Sequence, residues 1–183
     1  LHRVVYSLYD DIRNPESKAT SESSGILYAD QGGDYKGRKI LMLANRQPMV
    51  TVDGRHGEVH SRPIPDNFLE HSQYRFKVIV NPSRKLLPVR GREAVGQWFT
   101  ERATTSWGFS VATEHLQVDK IEIQQFKDKQ QRQVTIAQAH IQGVLSIADQ
   151  TQFKRSFTQG IGRARAYGCG LLQIVPLTDN PFI

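Results

Sequence analysis

The chain has 183 residues, 38% of them hydrophobic, with 24 Lys and Arg against 18 Asp and Glu and a single cysteine. That length supports one domain or two small ones, one cysteine excludes an internal disulfide framework, and no stretch has the apolar length of a membrane span or the look of a secretory signal, so the reading is a cytoplasmic protein. Residues 1–73 carry 9 Lys and Arg and 10 Asp and Glu, whereas residues 74–183 carry 15 and 8, so the basic excess belongs to the second half, as in a nucleic-acid-binding segment.

The first twelve residues predict an amphipathic helix, because Leu1, Val4, Val5, Leu8 and Ile12 recur at helical spacing on one face. Residues 14–25 are polar and read as a loop. Residues 26–29 and 39–45 read as strands joined through Gly32-Gly33-Asp34, a hairpin signal. Residues 50–52 and 58–60 read as short extended pieces, and Pro63 and Pro65 interrupt regular structure after them.

Residues 74–80 form the cleanest strand, with Tyr74, Phe76, Val78 and Val80 alternating with Arg75, Lys77 and Ile79. Residues 92–102 read as a helix with Val95, Trp98 and Phe99 on one side, and 109–111 and 119–126 as strands. Residues 127–132 form an exposed hairpin tip, and 134–147 return as a long strand with a break expected at Gly143. Asp149 is placed to cap a helix through Phe157, with Phe153 and Phe157 at i and i+4. Strand–helix–strand–strand–helix–strand is the ferredoxin-like order. The first half fits it only with a leading strand missing and its second helix weak or lost, and the boundary falls near 72–74, giving units 1–73 and 74–183.

Gly160, Gly162, Gly168 and Gly170 fall within eleven residues, with Arg163 and Arg165 between them. Glycine lets backbone approach a ligand closely, and exposed N–H groups and guanidinium forks both suit phosphate. The Gly-Lys-Ser/Thr ending of a nucleotide P-loop is missing.

The run from Gln159 to Leu177, with Gly160-Ile161-Gly162, Gly168-Cys169-Gly170-Leu171-Leu172 and Pro176-Leu177, resembles the C-terminal signature of the CasE family, the precursor-RNA endoribonucleases of type I-E CRISPR systems. Two weaker segments carry the same resemblance: Asn81-Pro82-Ser83-Arg84-Lys85 with Leu87-Pro88-Val89-Arg90, and Gln142-Gly143-Val144-Leu145-Ser146-Ile147. The resemblance implies an α+β protein of tandem ferredoxin-like domains of the RAMP type. It places a first strand upstream of Leu1 and a longer basic loop near Lys85-Leu86. It further implies binding of a CRISPR repeat RNA stem-loop, cleavage at the 3′ base of the stem, and retention of the product within the Cascade complex beside its other subunits.

A ribonuclease that uses the RNA's own 2′-hydroxyl as nucleophile needs no metal, only proton transfers, for which histidine is suited. Among His2, His56, His60, His71, His115 and His140, His2 lies off the apolar stripe of the first helix. Taken alone, it reads as a solvated terminal side chain. The resemblance makes it the catalytic residue, because the family's histidine sits early in the first helix directly after a leucine, as in Leu1-His2. The family's tyrosine three residues ahead falls before Leu1.

His56, Glu58 and His60 alternate so as to share a strand face, but zinc sites usually need a third or fourth strong ligand, and a polar strand face is the preferred reading. No metal and no cofactor is expected. The basic residues form three groups: Arg84, Lys85, Arg90 and Arg92 at one helix start; Lys127, Lys129 and Arg132 on the hairpin; Lys154, Arg155, Arg163 and Arg165 about the glycine segment. Together they suit a groove along a phosphate backbone, with the hairpin on the stem and Gly160, Gly162, Arg163 and Arg165 near the cut. The sequence reading is therefore a metal-independent CRISPR endoribonuclease. The rival is a non-catalytic RNA-binding subunit of the same fold; a metal-dependent hydrolase using His56 and His60 ranks below both.

Overall fold

Alternation over residues 73–78, closed by the buried Ile79 and Val80, builds the central strand in the computed structural model, which describes residues 1–19, 24–50, 52, 57–128 and 130–178. In β3 (Gln73–Val80) the side chains of Tyr74, Phe76, Val78 and Val80 are buried, while Arg75 and Lys77 are exposed on the opposite face. β8 (Gln133–Ile147) pairs antiparallel with it from Gln73↔Ser146 to Val80↔Ala139. β9 (Gln173–Pro176) pairs antiparallel with its other edge. The far edge of β8 is shared by β6 (Phe109–Val111), against 145–147, and β7 (Gln117–Lys127), against 133–142. The order β9-β3-β8-β6/β7, all antiparallel, is ferredoxin-like with its second strand interrupted.

That interruption corrects one expectation. β8 runs unbroken through Gly143, and the break falls on its partner, between β6 and β7. A Cβ at Gly143 would lie 2.4 Å from the carbonyl oxygen of His115. Glycine is therefore needed because the interrupting segment crosses against the β8 backbone at this point.

α3 (Arg92–Arg102) and α4 (Gln150–Gln159) cover one face of the sheet. The Asp149 carboxylate caps α4 by accepting from the Gln152 N–H at 2.9 Å. Phe76 stacks on Phe99 at 5.6 Å, and Phe109 meets Phe153 edge-on. Burying each such ring contributes on the order of 2–3 kcal/mol, so this face carries the main core, and a smaller cluster of Ile79, Ile136 and Cys169 is buried on the opposite face. A small satellite of the core, β4 (Ser83–Arg84) and β5 (Leu87–Pro88), forms a short hairpin before α3.

The first half holds α1 (His2–Ser7), α2 (Pro15–Ala19) and the antiparallel hairpin β1 (Ile26–Gly33) and β2 (Arg38–Ala44). α1 is shorter than the apolar spacing predicts. Val5, Leu8 and Tyr9 are buried against Ile26 and Tyr28, but Leu1, Val4 and Ile12 are 51%, 48% and 67% exposed. The chain turns away after Ser7 because Leu8 O accepts from Met49 N–H and Asp10 O accepts from Arg46 Nη2, which fixes the segment to the end of β2. The expected loop at 14–25 contains α2, started by Pro15 and by Asn14 Oδ1 accepting from Ser17 N–H at 2.7 Å. Val50 lies in a bend and Glu58 in an isolated bridge rather than in strands.

β1 is buried on both sides. Ile26 and Tyr28 face α1, whereas Leu27 and Ala29 pack on Leu171 of the second half. Two-sided burial explains why residues 26–29 read as a continuous apolar run. Among the described residues, no helix is long and apolar enough to cross a membrane.

Candidate active site and nucleic-acid interface

The helix-free face of the sheet meets the first half in a cleft of about 960 Å³. Its walls are the start of α1 (Leu1, His2, Arg3), the β1–β2 hairpin (Tyr28, Asp30, Arg38), the β7–β8 hairpin (Phe126, Lys127, Asp128, Arg132) and Tyr167-Gly168. Alternation selects the residues on the sheet side: Ile79, Ile136, Gln138 and Gln124 point opposite to the buried Val78 and Val80.

His2 stands at this cleft. Its Nδ1 lies 2.5 Å from the carbonyl oxygen of Ala166, and its ring lies 4.4 Å from that of Tyr6 and 5.7 Å from that of Tyr167. Tyr28 Oη donates to the same Ala166 oxygen at 3.3 Å. Burial drives the Tyr28 hydroxyl well above its ordinary value, so it remains a donor at any working pH.

Four cations and two carboxylates line the cleft. Arg38 Nε pairs with Asp30 at 2.7 Å, and Arg132 Nε with Asp128 at 2.9 Å. Arg3 and Lys127 make no ion pair among the described residues. The excess is positive, which favours a polyanion. The Asp128 carboxylate also accepts from the N–H groups of Gln130 and Arg132, so Arg132 shapes the hairpin tip as well as charging it. The backbone N–H of Arg132, then its own guanidinium and the Gln130 N–H, hold this carboxyl below its usual range.

The predicted basic residues are divided by the fold. Lys127 and Arg132 share the cleft with His2; Lys129 lies outside the described residues. Arg84 pairs with Glu101 of α3, and Arg92 donates to Asp119 O, so this group belongs to the helix-covered side. Lys85, with φ of 45°, and Arg90 are exposed beside it. His56 lies outside the described residues; Glu58 and His60 pair at 3.5 Å in the open. Among the described residues, no group of three or more His, Cys, Asp or Glu is placed to hold a metal ion.

The glycine segment is more self-bonded than the sequence suggests. Ile161 N–H donates to Gly170 O, Gly170 N–H to Ile79 O, and Arg165 Nη1 to Gln159 O at the end of α4. Gly160 has φ of +80°, and a Cβ there would come within 2.8 Å of Leu27. Gly160 and Arg165 thus dock the segment, whereas Gly162 has open space around it and Arg163 is exposed. Tyr6, Tyr28, Tyr167, Arg3 and Arg38 were absent from the sequence-based site. Tyr167 lay inside the glycine motif and offered a signal; Tyr28 offered only a strand position.

An antiparallel sheet with both helices on one face and a cationic, histidine-bearing cleft on the other defines an α+β, ferredoxin-like protein suited to a polyanion. The family model described as CRISPR associated protein matches residues 1–176, and the chain belongs to that family. No curated protein matches the sequence. Among solved structures, CRISPR endoribonuclease Cse3 bound to 19 nt RNA is 16% identical, with a TM-score of 0.74 over 96% of this chain and 87% of that one. Cas6e from Escherichia coli K-12 is 17% identical, with a TM-score of 0.55 over 96% and 90%. A chain of a CRISPR RNA-guided surveillance complex is 21% identical, with a TM-score of 0.66 over 96% and 88%. The tandem ferredoxin-like fold class agrees with these structures.

Proposed function

We propose that this protein is a metal-independent endoribonuclease that binds the stem-loop of CRISPR repeat RNA and cuts at the 3′ base of the stem. The observation that carries the reading is His2 held in a cation-lined cleft of a CRISPR-family chain. The RNA's 2′-oxygen attacks the adjacent phosphorus, the bond to the 5′-oxygen breaks, and the products are a 2′,3′-cyclic phosphate and a 5′-hydroxyl. His2 moves the proton; Lys127 and Arg132 hold the stem backbone, and Gly162 and Arg163 meet backbone near the cut. Residues 1–73 bring the histidine and residues 74–183 the hairpin and glycine segment. The likeness to RNA-bound Cse3 and to a surveillance-complex chain supports an RNA partner and a place among Cascade subunits in the cytoplasm.

The test is cleavage of a labelled repeat hairpin in EDTA, with His2→Ala beside the parent. A single cut in EDTA that is lost in His2→Ala, with hairpin affinity kept, supports the reading. Binding without cutting in both proteins leaves an RNA-holding subunit, and loss of cutting on chelation overturns metal independence.

A further inference from the structure

We propose that the Ala166 carbonyl, held by the Tyr28 hydroxyl, fixes the His2 ring with its proton on Nδ1, so that Nε2 takes the proton from the RNA 2′-hydroxyl. This rests on the ribonuclease reading of the cleft and assigns the direction of proton transfer within it. A carbonyl oxygen only accepts, so the 2.5 Å contact requires a hydrogen on Nδ1. The hydrogen bond made by one ring nitrogen sets the state of the other. Neutral His2 therefore presents a bare Nε2, an acceptor rather than a donor. The proton lost by the 2′-oxygen as it bonds to phosphorus is matched by one gained at the departing 5′-oxygen, supplied by water, so the step is balanced without another reactant.

The carbonyl is itself held in place. Ala164 at φ 58° and Gly168 at φ +85° are both left-handed and bracket the turn at 165–167, and Tyr167 N–H closes it onto Ala164 O at 2.9 Å. Left-handed backbone is disfavoured at a non-glycine residue, so this turn persists because its surroundings enforce it. Tyr28 does so from below: its hydroxyl reaches Ala166 O, and a Cβ at Gly168 would come within 3.0 Å of its ring. The Tyr6 and Tyr167 rings limit rotation of the imidazole. The glycine segment thus acts on the histidine through a carbonyl, and Tyr28 is a positioning residue.

Three measurements on the full chain decide this. Long-range proton–nitrogen correlation spectra of the ¹⁵N-histidine-labelled protein are expected to show His2 protonated at Nδ1 and bare at Nε2 when neutral; the opposite tautomer overturns the proposal. Tyr28→Phe is expected to shift that signature toward a tautomer mixture and to slow single-turnover cleavage of saturating hairpin about fivefold; an unchanged spectrum and rate removes Tyr28 from the scheme. The third uses RNA with sulfur in place of the bridging 5′-oxygen at the cut. Such a leaving group departs without a proton, so His2→Ala should remain slower than the parent by about 10²–10⁴-fold, the usual worth of a general base. Restored cleavage would make His2 the acid and overturn the proposal. Normal cleavage of ordinary RNA by His2→Ala would take His2 out of the chemistry and overturn the proposal, whereas binding without cutting by the parent would overturn the ribonuclease reading beneath it.

Discussion

Cys169 is fully buried, with Gln138 Nε2 at 3.7 Å from its sulfur, and burial pushes its thiol up to about 12. The thiolate is the reactive form, so native protein at pH 8 should not react with a disulfide reagent, while unfolded protein reacts at once; a rapid native reaction would contradict this packing. His140 is displaced the other way. Burial and then the neighbouring Lys120 hold it below the ordinary 6.5, outweighing the pull of Glu122, whose carboxylate lies 3.1 Å away, and of Asp119. Below about pH 6.5 the unfolded chain takes up this proton more readily than the folded one. Stability should therefore fall as pH drops through that value, and His140→Gln should flatten denaturant midpoints measured across it. That His2 stands at the cleft was legible in its position beside Leu1, off the buried side of α1. Tyr28 was not, since its role depends on Ala166, 138 residues away.

Elements were legible where one strip of sequence meets one neighbour. α4 combines a cap at Asp149 with buried Phe153 and Phe157, and it forms as read. Asp149→Ala removes the acceptor for the Gln152 N–H and should cost about 1 kcal/mol by thermal or urea unfolding; Asp149→Asn, which keeps an oxygen, should recover most of it. α1 was overextended because apolar spacing continues to Ile12, whereas the backbone is captured at Leu8 and Asp10 by Met49 and Arg46. No local pattern records that capture. The break opposite Gly143 was placed on the wrong strand for a related reason: glycine marks a close approach, and the sequence does not say which chain approaches.

At the scale of the molecule, charge counts locate the basic half but not the basic face. Residues 74–183 hold cations on both sides of one sheet, and only the packing of α3 against β7 assigns Arg84 and Arg92 to the side away from His2. The two sides can be separated by salt. Each phosphate neutralised by a protein cation releases counterions, so losing one contact should lower the slope of log affinity against log salt by about one unit. Arg3→Gln with Lys127→Gln removes two cleft cations that make no ion pair among the described residues. The slope for a repeat hairpin should fall by about two units. Arg84→Gln with Arg90→Gln removes the same formal charge from the helix side and should leave the slope near that of the parent. Net charge alone predicts equal effects from the two pairs, so the difference between them measures geometry. An equal or larger effect from the helix-side pair would move the RNA path over α3 and out of the cleft.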